Sequence, residues 1–263
     1  MAGTLLLGCP LEETATFRRG ARLGPSAIRE ASEGLETFSP GLNRDLEEVS
    51  FGDLGDLDLP CGHLEGSLSV IRQRASQLLS SGRRVLALGG EHLITLPLLE
   101  AALSVHPDLA LLQVDAHADL RDEYLGHRLS HATVMRRLLE LSRDLVIYQC
   151  GVRSGTREEM DLARRSPQIQ VIPRHRICTS LPTERPLYLT VDLDILDPGV
   201  LPGTGTPEPG GWSFHELEGF LHALKGCQVI AADVVELAPG LDPSGVSAIT
   251  AAKVVRELLL VCS

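Results

Sequence analysis

The stretch ALLQVDAHADLRD, residues 110–122, joins the pattern of a buried strand to a cluster of ionisable side chains. Its first five residues are largely apolar, and Asp115, His117 and Asp119 then follow on alternate positions. Burying two carboxylates and an imidazole together is costly unless something compensates their charge. The stretch therefore predicts a strand that ends at a functional site.

Short segments with the pattern of buried strands recur along the chain, and helical patterns lie between them. We predict strands at residues 4–9, 84–90, 109–115, 144–152, 169–173, 186–194 and 227–237. We predict helices at residues 24–33, 64–81, 93–104, 131–142, 213–224 and 244–261. This alternation predicts an α/β fold of three layers, α/β/α, around a central, mainly parallel sheet. No linker or repeat divides the chain, so we expect one domain over residues 1–263.

The composition excludes several classes of protein. The 263 residues are 43% hydrophobic, enough for one large core, and carry a formal net charge of −11. An acidic chain does not neutralise phosphates, so we expect no nucleic-acid partner and favour a small cationic ligand. Without a leader pattern or a spanning apolar run, we expect a soluble, cytoplasmic protein with no membrane contact. Six cysteines without a CxxC pair are expected to be inert thiols.

Ionisable residues follow four of the predicted strands, at the edge of a parallel sheet where ligands bind. They are Glu91 and His92; Asp115, His117 and Asp119; Asp192 and Asp194; and Asp233 and Glu236. On an extended backbone, residues two apart project to one face, so the DxH and DxD pairs are each expected to aim at a shared point. With His92 and Asp119 these pairs supply six donors, enough for two metal ions that share carboxylates.

Divalent cations would compensate several carboxylates held close together in a medium of low dielectric constant. Carboxylate and imidazole donors without a thiolate suit Mn²⁺, and they also accept Zn²⁺, Co²⁺ or Ni²⁺. Two such ions about 3.5 to 4 Å apart can share one water, lower its pKa and present it as a nucleophile. A single DxH or DxD is often only a solvated loop tip or a helix N-cap. Three clusters, each directly after a buried strand, favour metal binding instead.

Three of these segments resemble the signature motifs of the ureohydrolases, the arginase and agmatinase family, in order and in spacing. They are GGEH at 89–92, VDAHAD at 114–119 and TVDLDILDP at 190–198. Further segments similar to the family lie at residues 18–32, 203–213 and 233–253. The resemblance covers nearly the whole chain and implies an arginase-like fold that hydrolyses a guanidino compound to urea and an amine.

The resemblance also implies roles for individual residues. One Mn²⁺ would be bound by His92, Asp115, Asp119 and Asp192. The other would be bound by Asp115, His117, Asp192 and Asp194. Asp119 would also pass a proton to the leaving amine, and Glu236 would hold the substrate guanidinium. His131, in LSHATVM at 129–135, would contact substrate and shuttle protons at the mouth of the site, with His127 as a rival for that role.

The choice of substrate depends on loops. The interval between Asp119 and His131 lacks the loop of the type GNxHGxPxS with which arginases read an α-amino acid. The resemblance therefore favours agmatine, converted to putrescine and urea in polyamine synthesis. N1-aminopropylagmatine, guanidinobutyrate, guanidinopropionate, arginine and formiminoglutamate remain alternatives. The family also implies a homo-oligomer, either a trimer or a hexamer.

Two other interpretations are weaker. Zinc deacetylases of the arginase fold use a single Zn²⁺ and a pair of adjacent histidines, and this sequence has no such pair. A catalytically silent relative would have no physical need for so many costly charges at its strand ends.

Overall fold

The computed structural model describes residues 3–173 and 184–262. In chain order, the strands of this part are β1 Thr4–Cys9, β2 Phe38–Ser39, β3 Arg44–Asp45, β4 Phe51–Asp56, β5 Arg84–Gly89, β6 Ala110–Val114, β7 Ile147–Cys150, β8 Ile169–Ile172, β9 Leu187–Asp192 and β10 Val229–Val235. Its helices are α1 Gly24–Ser32, α2 Leu64–Ser80, α3 Thr95–Val105, α4 Val134–Leu141, α5 Arg157–Arg165, α6 Phe214–Ala223 and α7 Val246–Val261.

The described strands other than β2 and β3 form one parallel sheet of eight strands. Their order across the sheet is β4, β1, β5, β10, β9, β6, β7, β8. One face packs against α1, α6 and α7, and the other face packs against α2, α3, α4 and α5. The three-layer α/β/α fold predicted from the sequence is therefore confirmed.

The strands alternate their side chains between these two layers. Leu86 and Leu88 of β5 pack on one face, and Val85 and Ala87 pack on the other. Because both faces are covered, the central strands are apolar almost throughout, which is why their pattern stands out in the sequence.

The order of the strands brings together segments that are far apart in the chain. Strands β5, β10, β9 and β6 are neighbours at the centre of the sheet, and all four are parallel. In this register Val114 is opposite Val191, and Asp192 is opposite Val235. The residues after these strands consequently meet at one edge, as expected for ligand sites in open parallel sheets.

Several elements differ from the sequence-based prediction, which also did not include the short strands β2 and β3. Strand β4 was not predicted because it lies at the edge of the sheet, where Phe51 and Leu54 are exposed and no apolar alternation is needed. Helix α5 was also not predicted, although Thr156 and Glu159 form a capping box at its start. The strand predicted at 144–152 is shorter, because residues 142–146 form a turn before Ile147.

Smaller predictions have mixed outcomes. The helix predicted at 213–224 is α6, and a capping box of Ser213 and Glu216 opens it. Cys9, Cys150 and Cys262 are buried free thiols, whereas Cys61 is exposed and Cys178 lies outside the described residues. In the part of the chain that the structure describes, every helix is too short or too polar to cross a membrane.

A buried ionic cluster joins α7 to the short β2–β3 hairpin. Glu257 is fully buried and accepts hydrogen bonds from Arg256 Nε at 3.0 Å and Ser39 Oγ at 2.8 Å, and His222 Nε2 lies 2.8 Å away. Arg256 also donates to the carbonyl oxygen of Phe38. Burial opposes ionisation of Glu257, but its bonds with Arg256, His222 and Ser39 hold its pKa below the ordinary value.

We expect Glu257→Gln to lower the free energy of unfolding by about 3 kcal/mol at neutral pH, because the variant leaves Arg256 buried without its counter-charge. A carboxylate with a depressed pKa stabilises the fold above the pKa of the unfolded chain and loses that effect as the pH falls through its folded pKa. The difference between variant and wild type should therefore narrow below about pH 4.3, the ordinary pKa of Glu.

Urea denaturation of wild type and variant, from neutral pH to below about pH 4.3, measures the difference between their free energies of unfolding. Glu158→Gln, an exposed position on α5, is the matched control and should change stability by less than about 0.5 kcal/mol. A difference in the free energy of unfolding that stays constant with pH would contradict a depressed pKa of Glu257 in the folded protein.

Candidate functional site

Most of the side chains predicted from the strand ends meet in one cavity of about 260 Å³ at the carboxyl edge of the four central strands. Its lining includes His92, His117, Asp119, His131, Asp192, Asp194 and Glu236. Asp115 is fully buried and contacts His92. Three candidates lie outside: Glu91 turns its carboxylate to the N-terminal segment, His127 lines two other depressions of the surface, and Asp233 is fully buried behind Thr190.

Turns, rather than extended strands, bring the acidic pairs together. Strand β6 ends at Val114, and Asp115 Oδ1 then accepts a hydrogen bond from the backbone N–H of His117 at 2.6 Å. Asp192 ends β9, and its Oδ1 accepts from the backbone N–H of Asp194 at 2.9 Å. The prediction that alternation on an extended strand aims these pairs was therefore wrong in its mechanism, although each pair does converge. Asx turns of this kind are local, and in both the second carboxylate oxygen of the Asp faces the site, 3.2 Å from His92 Nδ1.

Asp119 and Glu236 have an unusual backbone conformation, with φ of 53° and 68°. Residues other than glycine rarely occupy this left-handed region, and each costs about 1–3 kcal/mol unless its surroundings hold it. The carbonyl oxygen of Asp119 accepts from Arg136 N at 3.2 Å, and Glu236 N donates to the carbonyl oxygen of Gly90 at 2.9 Å. These bonds hold both side chains towards the cavity, and strain of this kind is concentrated at functional sites.

His92 lies at the centre of the first group of donors. Its Nδ1 is 3.2 Å from Asp115 Oδ2, 3.1 Å from Asp119 Oδ2 and 3.2 Å from Asp192 Oδ2. This nitrogen is buried and makes no well-formed hydrogen bond with any described residue. Three carboxylates that converge on one imidazole nitrogen form the donor arrangement of a cation site.

His117 lies at the centre of the second group. Its Nδ1 is 2.8 Å from Asp194 Oδ2 and 3.8 Å from Asp115 Oδ1. Asp115 is held between the two groups by Gln113, whose Nε2 donates to Asp115 Oδ2 at 2.8 Å. Because Asp115 belongs to both groups, it is placed to bridge two cations.

The charges of the cluster are not balanced by the protein alone. Burial and repulsion from Asp115 raise the pKa of Asp119 to about 7. Burial and repulsion from Asp194 and Asp115 raise the pKa of Asp192 well above its usual range. Burial disfavours a charged His117, but its hydrogen bond with Asp194 raises its pKa to about 11. Without cations, the cluster therefore binds protons, and these protons supply the positive charge that divalent cations would otherwise bring.

A hydroxyl relay behind His92 fixes which of its nitrogens carries the proton. Thr190 Oγ1 gives its proton to Asp233 Oδ1 at 2.5 Å, so towards His92 Nε2, 2.9 Å away, it can only accept. His92 Nε2 therefore carries a hydrogen, and Nδ1, the nitrogen that faces the three carboxylates, is the one that could bind a cation. A metal-binding histidine is oriented in the same way, by a hydrogen bond at its other nitrogen.

The residues present therefore fit a pair of divalent cations. His92, Asp115 and Asp119 offer ligand atoms within 4.8 Å of one another, and so do Asp115, His117 and Asp194. The donors are carboxylates and imidazoles with no thiolate, which is the chemistry of a hard or borderline divalent ion. The shared carboxylate indicates a binuclear site.

Glu236 and His131 lie on the cavity wall beside this cluster. Glu236 Oε1 accepts from the backbone N–H of His92 at 2.8 Å, and its other oxygen makes no hydrogen bond within residues 3–173 and 184–262. Burial raises the pKa of Glu236 to about 8. For His131, burial and repulsion from the two cluster histidines lower the pKa to about 4. Of the two rival histidines, the structure brings His131 and not His127 into the cavity.

The outer wall of the cavity carries Arg121, Tyr124 and Glu159. The guanidinium carbon of Arg121 is 4.8 Å from the centre of the Tyr124 ring, and Arg121 Nε is 3.5 Å from Glu159 Oε2. Glu159 is buried and also accepts from the backbone N–H groups of Leu120 at 2.9 Å and Thr156 at 2.8 Å. Through these bonds Glu159 ties α5 to the loop that follows β6.

Sequence reasoning missed several residues that support the cluster. Thr190 stands two residues before Asp192 on a buried strand, and a polar residue at such a position was an available signal. Gln113 likewise stands two residues before Asp115 on a buried strand, and it was an available signal for the same reason. Asp233, one of the ionisable residues of the predicted strands, is fully buried and accepts the hydrogen bond of Thr190.

A parallel α/β sheet with a two-cation donor set at its carboxyl edge defines a class of metal-dependent hydrolases, and comparison with known proteins identifies the family. The arginase family model matches residues 2–261. An agmatinase of Bacillus anthracis is 41% identical over 97% of this chain and 90% of its own length. An N(1)-aminopropylagmatine ureohydrolase of Thermus thermophilus is 38% identical over 90% of this chain and 83% of its own length.

A solved structure of the same fold is that of the proclavaminate amidino hydrolase from Streptomyces clavuligerus. It has a TM-score of 0.91 and 27% sequence identity, covering 99% of this chain and 87% of that one. The chain belongs to the arginase family, and it is a hydrolase that acts on guanidino C–N bonds.

We expect Thr190→Val to weaken the binding of Mn²⁺ by about 10-fold, because losing a hydrogen bond to a metal-binding histidine typically costs 10- to 100-fold in affinity. Isothermal titration calorimetry of the metal-free protein measures this change. Thr190→Ser keeps the hydroxyl and should bind like the wild type. Equal affinities for the Val variant and the wild type would show that the relay does not orient His92.

Proposed function

We propose that this protein is a binuclear manganese ureohydrolase that converts agmatine and water to putrescine and urea. The observation that carries the proposal is the cavity itself, in which the anchored carboxylate of Glu236 stands beside the donors for two cations. The relatives named agmatinase, about 41% identical over most of the chain, support this substrate.

The proposed ligands are those expected from the sequence. One Mn²⁺ would be held by His92, Asp115, Asp119 and Asp192. The other would be held by Asp115, His117, Asp192 and Asp194. When bound, the two cations would lower the pKa of a shared water and so supply a nucleophile at neutral pH.

Glu236 is proposed to hold the guanidinium group. A guanidinium stays protonated at any working pH, so it is best recognised by a carboxylate fixed in position. The backbone N–H of His92 fixes Glu236 Oε1, and the remaining oxygen is free to accept from the substrate. This contact would place the central carbon of the substrate above the metal-binding side chains.

Two residues are proposed to move protons. Asp119 has its carboxylate in the cavity and would take a proton during attack and deliver it to the departing amine, which cannot leave as an anion. His131 lines the same cavity and would exchange protons between the site and the solvent. A positioned acid or base of this kind typically contributes about 10²–10⁴-fold to the rate.

The cavity also favours a second candidate substrate. Arg121 is a cation on its outer wall, and it would attract a substrate that carries a carboxylate at the end remote from the guanidinium. Guanidinobutyrate has that chemistry. Glu159 lies beside Arg121 and offsets its charge, which keeps the ammonium group of agmatine acceptable.

We further propose that residues 1–263 work as one domain, because β10, near the end of the chain, lies between β5 and β9 in the same sheet. A trimeric or hexameric assembly, a cytoplasmic location and a role in polyamine synthesis stay predictions.

Urea release tests the proposed reaction. Protein loaded with Mn²⁺ should release urea fastest from agmatine when it is compared with arginine, guanidinobutyrate and aminopropylagmatine under the same conditions. Glu236→Gln should raise KM by about 30-fold, because neutralising one partner of a buried charge pair costs at least about 2 kcal/mol. Glu158→Gln, on the exposed face of α5, is the control and should leave KM unchanged. No urea from any of the four guanidines would overturn the proposal.

A second variant separates the two candidate substrates. Arg121→Ala should raise kcat/KM for agmatine and lower it for guanidinobutyrate, because it removes a positive charge from the cavity wall. Steady-state kinetics on both substrates measures the ratio of the two values. A ratio equal to that of the wild type would show that Arg121 does not sense the remote end of the substrate.

A further inference from the structure

Glu91 links the N-terminal segment at Glu13 and Thr14 to the turn that carries His92. Its side chain is fully buried, and Oε2 accepts from Thr14 N at 2.9 Å and from Thr14 Oγ1 at 2.8 Å, while Oε1 accepts from Glu13 N at 3.3 Å. Both carboxylate oxygens of Glu91 therefore face the N-terminal segment, so Glu91 is not a metal ligand beside His92. Its carboxylate fixes the position of a single hydroxyl group, that of Thr14.

The hydroxyl of Thr14 lies between Glu91 and His131. It has one proton, and it gives that proton to Glu91. It can therefore only accept hydrogen bonds from His131, whose backbone N is 3.1 Å and whose Nδ1 is 3.2 Å from Thr14 Oγ1. This arrangement satisfies the hydroxyl completely and favours a hydrogen on Nδ1 of the His131 ring, because Thr14 Oγ1 is the nearer partner of that nitrogen and Ser130 Oγ is farther away, at 3.5 Å.

Other contacts fix the plane of the same ring. The rings of Tyr124 and His131 meet edge to face, with centres 5.7 Å apart and planes at 82°. Tyr124 is tied in turn to the N-terminal segment, since its hydroxyl lies 3.3 Å from Thr16 Oγ1. Nε2 of His131 makes no hydrogen bond with any described residue, and the ring lines the cavity that holds Asp119 and Glu236.

We propose that Glu91 and Thr14 are positioning residues that hold His131 with Nδ1 protonated and with the lone pair of Nε2 free to accept a proton from the cavity. The inference deepens the proposed function, because it rests on His131 exchanging protons with the site. The neutral ring accepts first: Nε2 takes one proton from the cavity, and the same atom then releases it to solvent, which returns the ring to its starting form. Neither Glu91 nor Thr14 lines the cavity in which substrate and cations would bind.

The same logic applies to a histidine in a catalytic triad, where a partner on one ring nitrogen fixes the tautomer that leaves the other nitrogen reactive. Here the partner is a hydroxyl rather than a carboxylate. The negative charge stays one residue further away, on Glu91.

Nuclear magnetic resonance tests the tautomer without relying on catalysis. In protein labelled with ¹⁵N-histidine, imidazole nitrogen shifts distinguish a protonated nitrogen from a bare one, and His131→Asn identifies the signals of His131. At mildly alkaline pH the wild type should show His131 protonated on Nδ1, and Thr14→Val should lose that preference. A wild-type ring protonated on Nε2, or an unchanged ring in Thr14→Val, would overturn the inference.

Kinetics tests the consequence on the best guanidine substrate. Thr14→Val should lower kcat by about 10- to 100-fold, part of the 10²–10⁴-fold effect of positioned acid–base catalysis, with KM and bound metal unchanged. Thr14→Ser keeps the hydroxyl and should restore kcat to within about 2-fold of the wild type, since the same hydrogen bonds can form.

Combining variants separates positioning from a general structural role. Once His131→Asn has removed the ring, adding Thr14→Val should cause no further loss of kcat. An equal loss in both backgrounds, or a Ser variant as slow as the Val variant, would contradict the inference. If the wild type released no urea from any guanidine, the proposed function would fail, and the resonance experiment would still decide the tautomer.

Discussion

The repulsion between carboxylates at one edge of the sheet is the constraint on which the rest of this structure depends. Asp115, Asp119 and Asp192 all bring an oxygen to within about 3.2 Å of one imidazole nitrogen of His92, in a buried setting. Such a cluster needs positive charge between its members, and its donor types fit two divalent cations. The strand order, the Asx turns and the strained backbone at Asp119 and Glu236 all act to hold these side chains together.

Much of this arrangement could be predicted from the sequence, because the central strands are covered on both faces and therefore carry a strong apolar pattern. Ionisable residues directly after such strands are conspicuous, which is why His92 and the aspartates stood out. The edge strand β4 gave no such signal, since Phe51 and Leu54 remain exposed. The contact between Thr14 and His131 joins residues 117 positions apart, and no local pattern reports it.

Two threonine hydroxyls make the same kind of contact, each between a buried carboxylate and a histidine that lines the cavity. Thr190 gives its proton to Asp233 and accepts from Nε2 of His92, so that Nδ1 is the nitrogen left to bind a cation. Thr14 gives its proton to Glu91 and leaves Nε2 of His131 open to the cavity. In each case a buried carboxylate decides the direction of a hydrogen bond, and that direction decides the tautomer of a histidine. In the proposed reaction, Glu236 would bind the guanidinium end of the substrate, and the wall that contains Arg121 and Glu159 would contact its remote end.

Anomalous X-ray scattering from crystals of the protein grown with Mn²⁺ tests the central claim most directly. The account predicts two anomalous peaks about 3.5 to 4 Å apart, with carboxylates of Asp115 and Asp192 between them and one histidine at each end. A single peak, or none, with these side chains turned away from a common centre, would contradict it.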